Sequence, residues 1–181
     1  VLAVFGGTSV TLMSRNGKVF ENFGDIETWL GTNRNLFQHG TRTGGRFVLD
    51  GEIVGESFQK LMRQAHRKSD AETTGMIYHV FDFIPLDDFE RGHWNANQRK
   101  RLECLERARA AAIENCDLVQ IMPGIEVDLD TAEGHDIMHR FAQAAVAEGY
   151  EGIMIKSLDA PYECKRSDFW MKWKPTISVD L

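Results

Sequence analysis

The sequence predicts an α+β fold, in which short antiparallel strands are flanked by helices. Two observations carry this prediction. Turn residues, Gly6-Gly7 and Asn16-Gly17, separate short apolar runs near the start of the chain, as they do in β-hairpins. Apolar residues recur at helical spacing in three longer segments, which are 57–68, 97–115 and 131–148.

The predicted strands account for most of the remaining chain. The apolar runs 1–5 and 10–13 form a hairpin, and 18–23 extends it into a meander. Further strands are predicted at 47–54, 76–84, 118–122, 153–155 and 169–175, and a short helix at 25–30. The helix over 131–148 should be capped by Asp130 or Thr131 and end at Gly149.

Composition limits the cellular setting and the class of partner. The chain has 181 residues, 43% of them hydrophobic, which suits one domain with a real core. A formal net charge of −6 argues against attraction of nucleic acid by the whole surface, so such contacts would need local basic patches. Three cysteines without paired spacing favour a reducing, cytoplasmic setting, and no apolar run is long enough for a membrane span.

The stretch 151–175 carries the first candidate site. Glu151 stands beside a glycine and precedes an apolar run that ends in Lys156. Further on, Lys172 and Lys174 lie two apart on a predicted strand and so share one face, while Trp173 faces the other way. Two neighbouring ammonium groups repel each other unless an anion such as a polyphosphate lies between them. The alternative is an exposed edge strand whose lysines discourage pairing with other strands.

Two further segments place polar or aromatic side chains inside apolar strands. Asp50-Gly51-Glu52 is either a β-bulge or turn with exposed acids, or a site where Glu52 faces a cation or a sugar hydroxyl. Phe81 and Phe83 flank Asp82 and are expected to share the opposite face of their strand. These rings are either core residues or, at Phe81, a surface on which a purine stacks.

Other charged patterns have simpler interpretations. The basic residues of the segment 97–115, which are Arg99, Lys100, Arg101, Arg107 and Arg109, are expected to form a solvated helix face. The pattern H-D-I-M-H at 135–139 is similar to the zinc motif H-E-x-x-H, but it has an aspartate in place of the glutamate and lacks an obvious third ligand. No glycine-rich phosphate loop is present, which disfavours Walker-type and kinase-type sites.

Five short motifs, taken in order, resemble those of the ATP-dependent DNA ligases, and their spacing is most similar to bacteriophage-type enzymes. They are S-R-N-G at 14–17, L-D-G-E at 49–52, V-F-D-F at 80–83, E-G-I-M-I-K at 151–156 and W-M-K-W-K-P at 170–175. Each is weak alone, and together they cover nearly the whole chain. The resemblance implies an ATP-grasp-type nucleotidyltransferase fold, with antiparallel sheets flanked by helices and AMP bound between them.

The resemblance also implies a role for each matching residue. Arg15 would contact phosphate, including the 5′-phosphate of a nick, and Glu52 would bind the ribose or support the nucleophile. Phe81 would stack on adenine, Glu151 would hold Mg²⁺, and Lys172 and Lys174 would hold the α-phosphate of ATP. Lys156 and Arg166 are expected near the phosphates or the DNA.

One motif of the family is missing. Its first motif, K-x-D-G-x-R, supplies the lysine that is adenylated, and we expect this lysine shortly upstream of Val1. The chain is expected to be an adenylation domain over 1–181, without that motif and without the OB-fold domain that follows in the family. The expected activity is sealing of nicked double-stranded DNA by a monomer, through a lysyl-AMP and a DNA-adenylate. The alternatives are an RNA ligase, an mRNA capping guanylyltransferase, or a non-catalytic nucleotide- or DNA-binding module.

Overall fold

The computed structural model describes residues 1–38, 45–55, 74–112 and 116–175. Their elements in chain order are β1 Leu2–Phe5, β2 Val10–Met13, α1 Gly24–Thr32, a 3₁₀ helix Arg34–Leu36, β3 Phe47–Val54, β4 Ile77–Pro85, α2 Leu86–Glu90, β5 His93–Trp94, α3 Gln98–Ala112, β6 Val119–Ile121, α4 Ala132–Ala147, β7 Ile153–Lys156, β8 Tyr162–Glu163 and β9 Trp170–Trp173. The predicted α+β class is confirmed. The helix predicted at 57–68 lies outside the described residues.

Five strands form the main sheet, in the order β2-β1-β3-β4-β6. Neighbouring strands are antiparallel except β4 and β6, which are parallel. This exception follows from the chain path, because α2, β5 and α3 lie between β4 and β6, and a crossover of that length returns the chain in the same direction. The sheet is therefore mixed, where the sequence predicted antiparallel pairing.

The predicted third strand of the opening meander is absent from the described residues. Over 18–23 the chain forms a single bridge, between Met13 and Val19, and α1 then begins at Gly24. The chain leaves the sheet here because Phe23 turns into the core, where it is 2% exposed.

An aromatic core joins one face of the main sheet to α1 and α3. The rings of Phe5 and Phe47 stack with centroids 4.0 Å apart, and Phe83 packs 5.3 Å from Phe47. Leu30 of α1 and Leu105 of α3 are buried in the same cluster. Burial of large apolar side chains of this kind contributes about 1.5–3 kcal/mol for each residue, so this face is the stable base of the domain.

Two small sheets lie apart from the main one. β5 pairs with β8, and β7 pairs with β9, both antiparallel. The helix before β7 begins as predicted, since the hydroxyl of Thr131 accepts a hydrogen bond from the N–H of Gly134. These small sheets bring residues 151–174 against the strand β4.

Candidate functional site

A carboxylate held between two lysines lies at one end of the β7–β9 sheet. The ammonium groups of Lys172 and Lys174 lie 2.9 and 2.7 Å from the same Oε2 atom of Glu151. Trp173, between them in sequence, contacts the ring of His139 on α4, which agrees with the predicted alternation of faces. Hydrogen bonds from the two lysines lower the pKa of Glu151 to about 2, and the bond to Glu151 raises the pKa of Lys172. The chain itself thus supplies an anion at a position that a phosphate could take over.

Glycine at position 152 permits this arrangement. Gly152 has a φ of +147°, and a Cβ there would lie 2.1 Å from the carbonyl oxygen of Trp173. Side chains rarely adopt such a φ, and no real Cβ approaches an oxygen so closely. The glycine therefore lets β7 and β9 meet tightly, which brings Glu151 opposite the end of β9.

Glu52 belongs to a row of polar side chains across three strands of the main sheet. It pairs in register with His79 of β4, which pairs with Gln120 of β6. Glu52 and Gln120 are exposed, whereas His79 is buried against the ring of Tyr150. Burial lowers the pKa of His79, so its ring is neutral at pH 7. The charge of Glu52 also helps to raise the pKa of Lys172, which indicates that this carboxylate lies near the lysine pair.

Asp50, the other acid of the 50–52 segment, has a different environment from Glu52. Asp50 is 2% exposed, and its Oδ2 accepts a hydrogen bond of 2.8 Å from the hydroxyl of Tyr162. Burial raises the pKa of Asp50, and the bond from Tyr162 partly offsets this effect. The register shifts after Asp50, which confirms the predicted β-bulge, but of the two acids only Glu52 is exposed, and its role toward a cation or a sugar hydroxyl stays a prediction.

Phe81 is the extra residue of that bulge. Asp82 pairs with Asp50 and Val80 pairs with Gly51, which leaves Phe81 without a partner on β3. A bulge changes the direction of the side chains beyond it. Phe83 therefore lies in the core, whereas Phe81 is half-buried and contacts Trp170 of β9, with centroids 6.4 Å apart. The expectation that the two phenylalanines share one face is wrong, because it assumed an unbroken alternation along β4.

Lys156 lies beside this ring. Its Nζ donates a hydrogen bond of 3.0 Å to the carbonyl oxygen of Phe81 and lies 3.4 Å from Oδ2 of Asp82. The same ammonium lies 3.9 Å from the centroid of Trp170. Burial lowers the pKa of Lys156. Lys156 is thus placed next to the candidate stacking ring, with 14% of its side chain exposed.

Arg15 and Arg166 lie at the margins. Arg15 is exposed in the turn after β2, and its charge acts on Asp50. Arg166 is exposed in the segment between β8 and β9. The structure therefore brings two groups of predicted site residues into direct contact. The first is Glu151 with Lys172 and Lys174, and Glu52 lies near it. The second is Phe81 with Lys156, and Arg166 joins neither group.

Sequence reasoning missed a buried arginine. Arg101 was expected on a solvated helix face, but it is fully buried and forms an ion pair of 2.8 Å with Asp82. Its neighbours Arg99 and Lys100 are exposed, as expected. A signal was present, because Arg101, Leu105 and Ala108 fall on one helical stripe and the latter two are core residues.

The donor set suits a metal ion that is shared with a ligand. Among the described residues, no three His, Cys, Asp or Glu side chains cluster as a metal site, and His135 and His139 are exposed. Mg²⁺ is commonly held by one or two carboxylates together with phosphate oxygens. The exposed carboxylate of Glu151 fits that mode, and a zinc site has no support in this part of the chain.

Fold and site together define an α+β domain of the nucleotidyltransferase class. The family described as "ATP dependent DNA ligase domain" matches residues 2–174, and the chain belongs to this family. The predicted resemblance is thereby confirmed. In the part of the chain that the structure describes, no helix has the length and apolar character to cross a membrane.

Relatives and solved structures agree with this assignment. A "Probable DNA ligase" of Anaeromyxobacter dehalogenans is 34% identical over 145 residues, which are 75% of this chain and 26% of that protein. A solved structure titled "Pmar-Lig_Pre." is 38% identical, with a TM-score of 0.83 over 97% of this chain and 40% of that one. The ATP-dependent DNA ligase of bacteriophage T7, solved in complex with ATP, is 16% identical over 96% of this chain and 58% of that one. Its TM-score of 0.67 supports the fold alone. The chain spans about a quarter of the length of the curated relatives it matches.

Proposed function

We propose that the protein is an ATP-dependent DNA ligase and that this chain forms the body of its adenylation domain. The observation that carries the proposal is the pair Lys172 and Lys174, which share one carboxylate oxygen and lie near Glu52. Such a pair can exchange its internal anion for the α-phosphate of a nucleotide. The family assignment makes ATP the expected nucleotide, and the names of the relatives do not favour an RNA ligase or a capping enzyme.

Phe81, Glu52 and Glu151 have proposed roles around the bound nucleotide. Phe81 offers a half-buried ring on which adenine stacks, and the carboxylate of Glu52 accepts hydrogen bonds from ribose hydroxyls. Once Lys172 and Lys174 donate to the phosphate, the carboxylate of Glu151 would be released from them and would be available to hold Mg²⁺. When bound, Mg²⁺ supplies further neutralisation of the phosphate oxygens.

The nucleophile is proposed to enter next to Glu52. Val1 pairs with Gly51, since its amine donates to the carbonyl oxygen of Gly51 at 2.7 Å and its carbonyl oxygen accepts the N–H of Gly51 at 3.0 Å, so residues joined upstream of Val1 would pass close to Glu52. A lysine of ordinary pKa, about 10.4, costs about 4–5 kcal/mol to deprotonate at pH 7. A nearby cation such as Arg15 lowers that cost by disfavouring the ammonium form.

The reaction then proceeds in three displacements. The lysine nitrogen bonds to the α-phosphorus of ATP and loses its proton, and pyrophosphate leaves. An oxygen of the 5′-phosphate at a nick displaces the lysine and takes the AMP. The 3′-hydroxyl attacks that 5′-phosphate, gives up its proton and releases AMP. Lys172 and Lys174 stabilise the charge that develops on the transferred phosphate.

The full-length protein tests this proposal. Incubation with ATP and Mg²⁺ should add the mass of one AMP to the protein, and the product should seal nicked duplex DNA. Lys174→Ala should abolish the adduct, whereas the control Lys165→Ala, which removes a lysine with a 72% exposed side chain, should retain it. An adduct formed from GTP instead of ATP, or normal nick sealing by Lys174→Ala, would contradict the proposal.

A further inference from the structure

Arg101 is a charged residue that is fully buried and fully hydrogen-bonded. It is 0% exposed, and all five of its N–H donors are used. Nε and Nη2 donate to the two carboxylate oxygens of Asp82, at 2.8 and 3.4 Å, and Nη2 also donates to Oε1 of Gln98 at 2.6 Å. Nη1 donates to the carbonyl oxygens of Ala96 and Ala160, at 2.6 and 3.0 Å.

The partners of Arg101 come from separate parts of the fold. Asp82 lies on β4, directly after the bulged Phe81, whereas Ala160 lies between β7 and β8. The guanidinium carbon also lies 5.6 Å from the ring centroid of Tyr162 on β8. One side chain of α3 thus ties the main sheet to the segment that connects Glu151 with Lys172 and Lys174.

Asp82, the partner of Arg101, also contacts the groups that hold the backbone on either side of Phe81. Its Oδ1 also accepts the backbone N–H of Phe83 at 2.9 Å, and its Oδ2 faces Lys156 at 3.4 Å. Lys156 in turn holds the carbonyl oxygen of Phe81. A bulged residue lacks ladder bonds of its own on one side, so these contacts determine where its ring points.

Stability alone is a poor reason to bury such a pair. Taking both charges out of water costs several kcal/mol for each ion, and well-packed apolar side chains often serve a fold as well. The arrangement is better suited to fixing the distance between the elements that Arg101 joins, because the planar guanidinium group holds several acceptors in one plane at once. The elements it fixes are those that carry the candidate base site and the candidate phosphate site.

We propose that Arg101 is a positioning residue that sets the distance between the purine-stacking ring of Phe81 and the phosphate-binding pair Lys172 and Lys174. This inference rests on the proposed function, since it takes ATP as the ligand that must reach both places. It adds a residue that touches no nucleotide. The affinity of a ligand that contacts only the two lysines should not change when Arg101 is substituted. The affinity of a ligand that contacts both the lysines and the ring of Phe81 should fall.

Two ligands separate these effects in the full-length protein. The affinities for ATP and for inorganic tripolyphosphate are measured by calorimetry in one EDTA buffer, in which AMP transfer does not compete with binding, well below the unfolding temperature. Arg101→Lys keeps the charge beside Asp82 and removes the fork to Gln98, Ala96 and Ala160. We expect it to weaken ATP binding by about tenfold or more, which is about 1.4 kcal/mol, and to leave tripolyphosphate binding unchanged. Arg107→Lys, an exposed position on the same helix, should change neither affinity.

The outcomes distinguish this inference from the proposed function. Equal losses for both ligands, or no loss for ATP, would overturn the role of Arg101 while leaving the ligase proposal intact. If the unaltered protein bound no ATP, both would fall. Should Arg101→Lys fail to fold, Gln98→Met removes one acceptor and keeps the arginine. The same criterion then applies to this variant. A loss of affinity for ATP alone supports the inference, and an equal loss of affinity for ATP and tripolyphosphate, or no loss for ATP, refutes it.

Discussion

Substituting Gly152 by alanine should damage the site through the backbone alone. The added Cβ would lie 2.1 Å from the carbonyl oxygen of Trp173, and the φ of +147° is a conformation that only glycine adopts readily. The strands β7 and β9 must therefore separate at the end where Glu151 meets Lys172 and Lys174. No charged group is removed by this change, so any lost activity reports on geometry.

The chain offers a matched control at Gly149. Its φ is +93°, but a Cβ there would meet nothing within 4 Å, so Gly149→Ala adds backbone strain without a clash. Strain of this kind costs about 1–3 kcal/mol. At position 152 the clash adds the loss of one or two ladder hydrogen bonds, each about 1 kcal/mol. We therefore expect Gly152→Ala to be less stable than Gly149→Ala by about 1–2 kcal/mol.

Thermal unfolding and AMP transfer measure the two consequences. A difference of 1–2 kcal/mol should appear as a gap of about 2–8 °C between the unfolding temperatures of the variants, given a chain of this size. In the full-length protein, Gly152→Ala should also form much less AMP adduct than Gly149→Ala when both are folded. Equal unfolding temperatures together with equal adduct formation would show that the close approach of β7 and β9 does not matter for the site.

Three further predictions concern single side chains. Tyr162→Phe removes a bond that stabilises the ionised carboxylate of Asp50, whose pKa burial raises. The variant should therefore lose about 1.5–3 kcal/mol of stability at about pH 8 and less as the pH falls through the pKa of Asp50 in urea unfolding, and equal losses across this range would count against it. Glu151→Gln leaves the lysines without their internal anion, so ATP binding in EDTA should strengthen while AMP adduct formation with Mg²⁺ falls; weaker binding in EDTA would contradict this. Phe81→Ala should lower ATP affinity by about 1–3 kcal/mol with little change in unfolding temperature, whereas Phe83→Ala should lower stability by about 3–5 kcal/mol; a reversed pattern would show that the rings were assigned wrongly.

Local patterns predicted the elements better than their partners. The helix expected over 97–115 is observed at Gln98–Ala112, and the one expected over 131–148 at Ala132–Ala147. Helical spacing and capping act within a few residues, so they are visible in sequence. The parallel pairing of β6 was not predicted, because it depends on a crossover whose end point is set by the tertiary fold.

The candidate site was predictable where it depends on strand alternation. Lys172 and Lys174 share a face because side chains two apart on a strand do so, and both reach Glu151. The direction of Phe81 and the burial of Arg101 were not predictable in this way. The first depends on one extra residue opposite β3, and the second on an acidic partner that lies nineteen positions earlier in the chain.

Phe81 on β4 interrupts the regular pairing with β3, and its ring is the one proposed to stack on the purine. A β4 shortened by one position at 81 could run beside β3 without interruption, with a full set of ladder bonds and a more uniform sheet. That shorter chain would have lost the ring that leans toward Trp170. Deletion of residue 81 is therefore expected to remove both the ring and the bulge while leaving Asp82 opposite Asp50, whereas a substitution at 81 changes the ring and keeps the bulge.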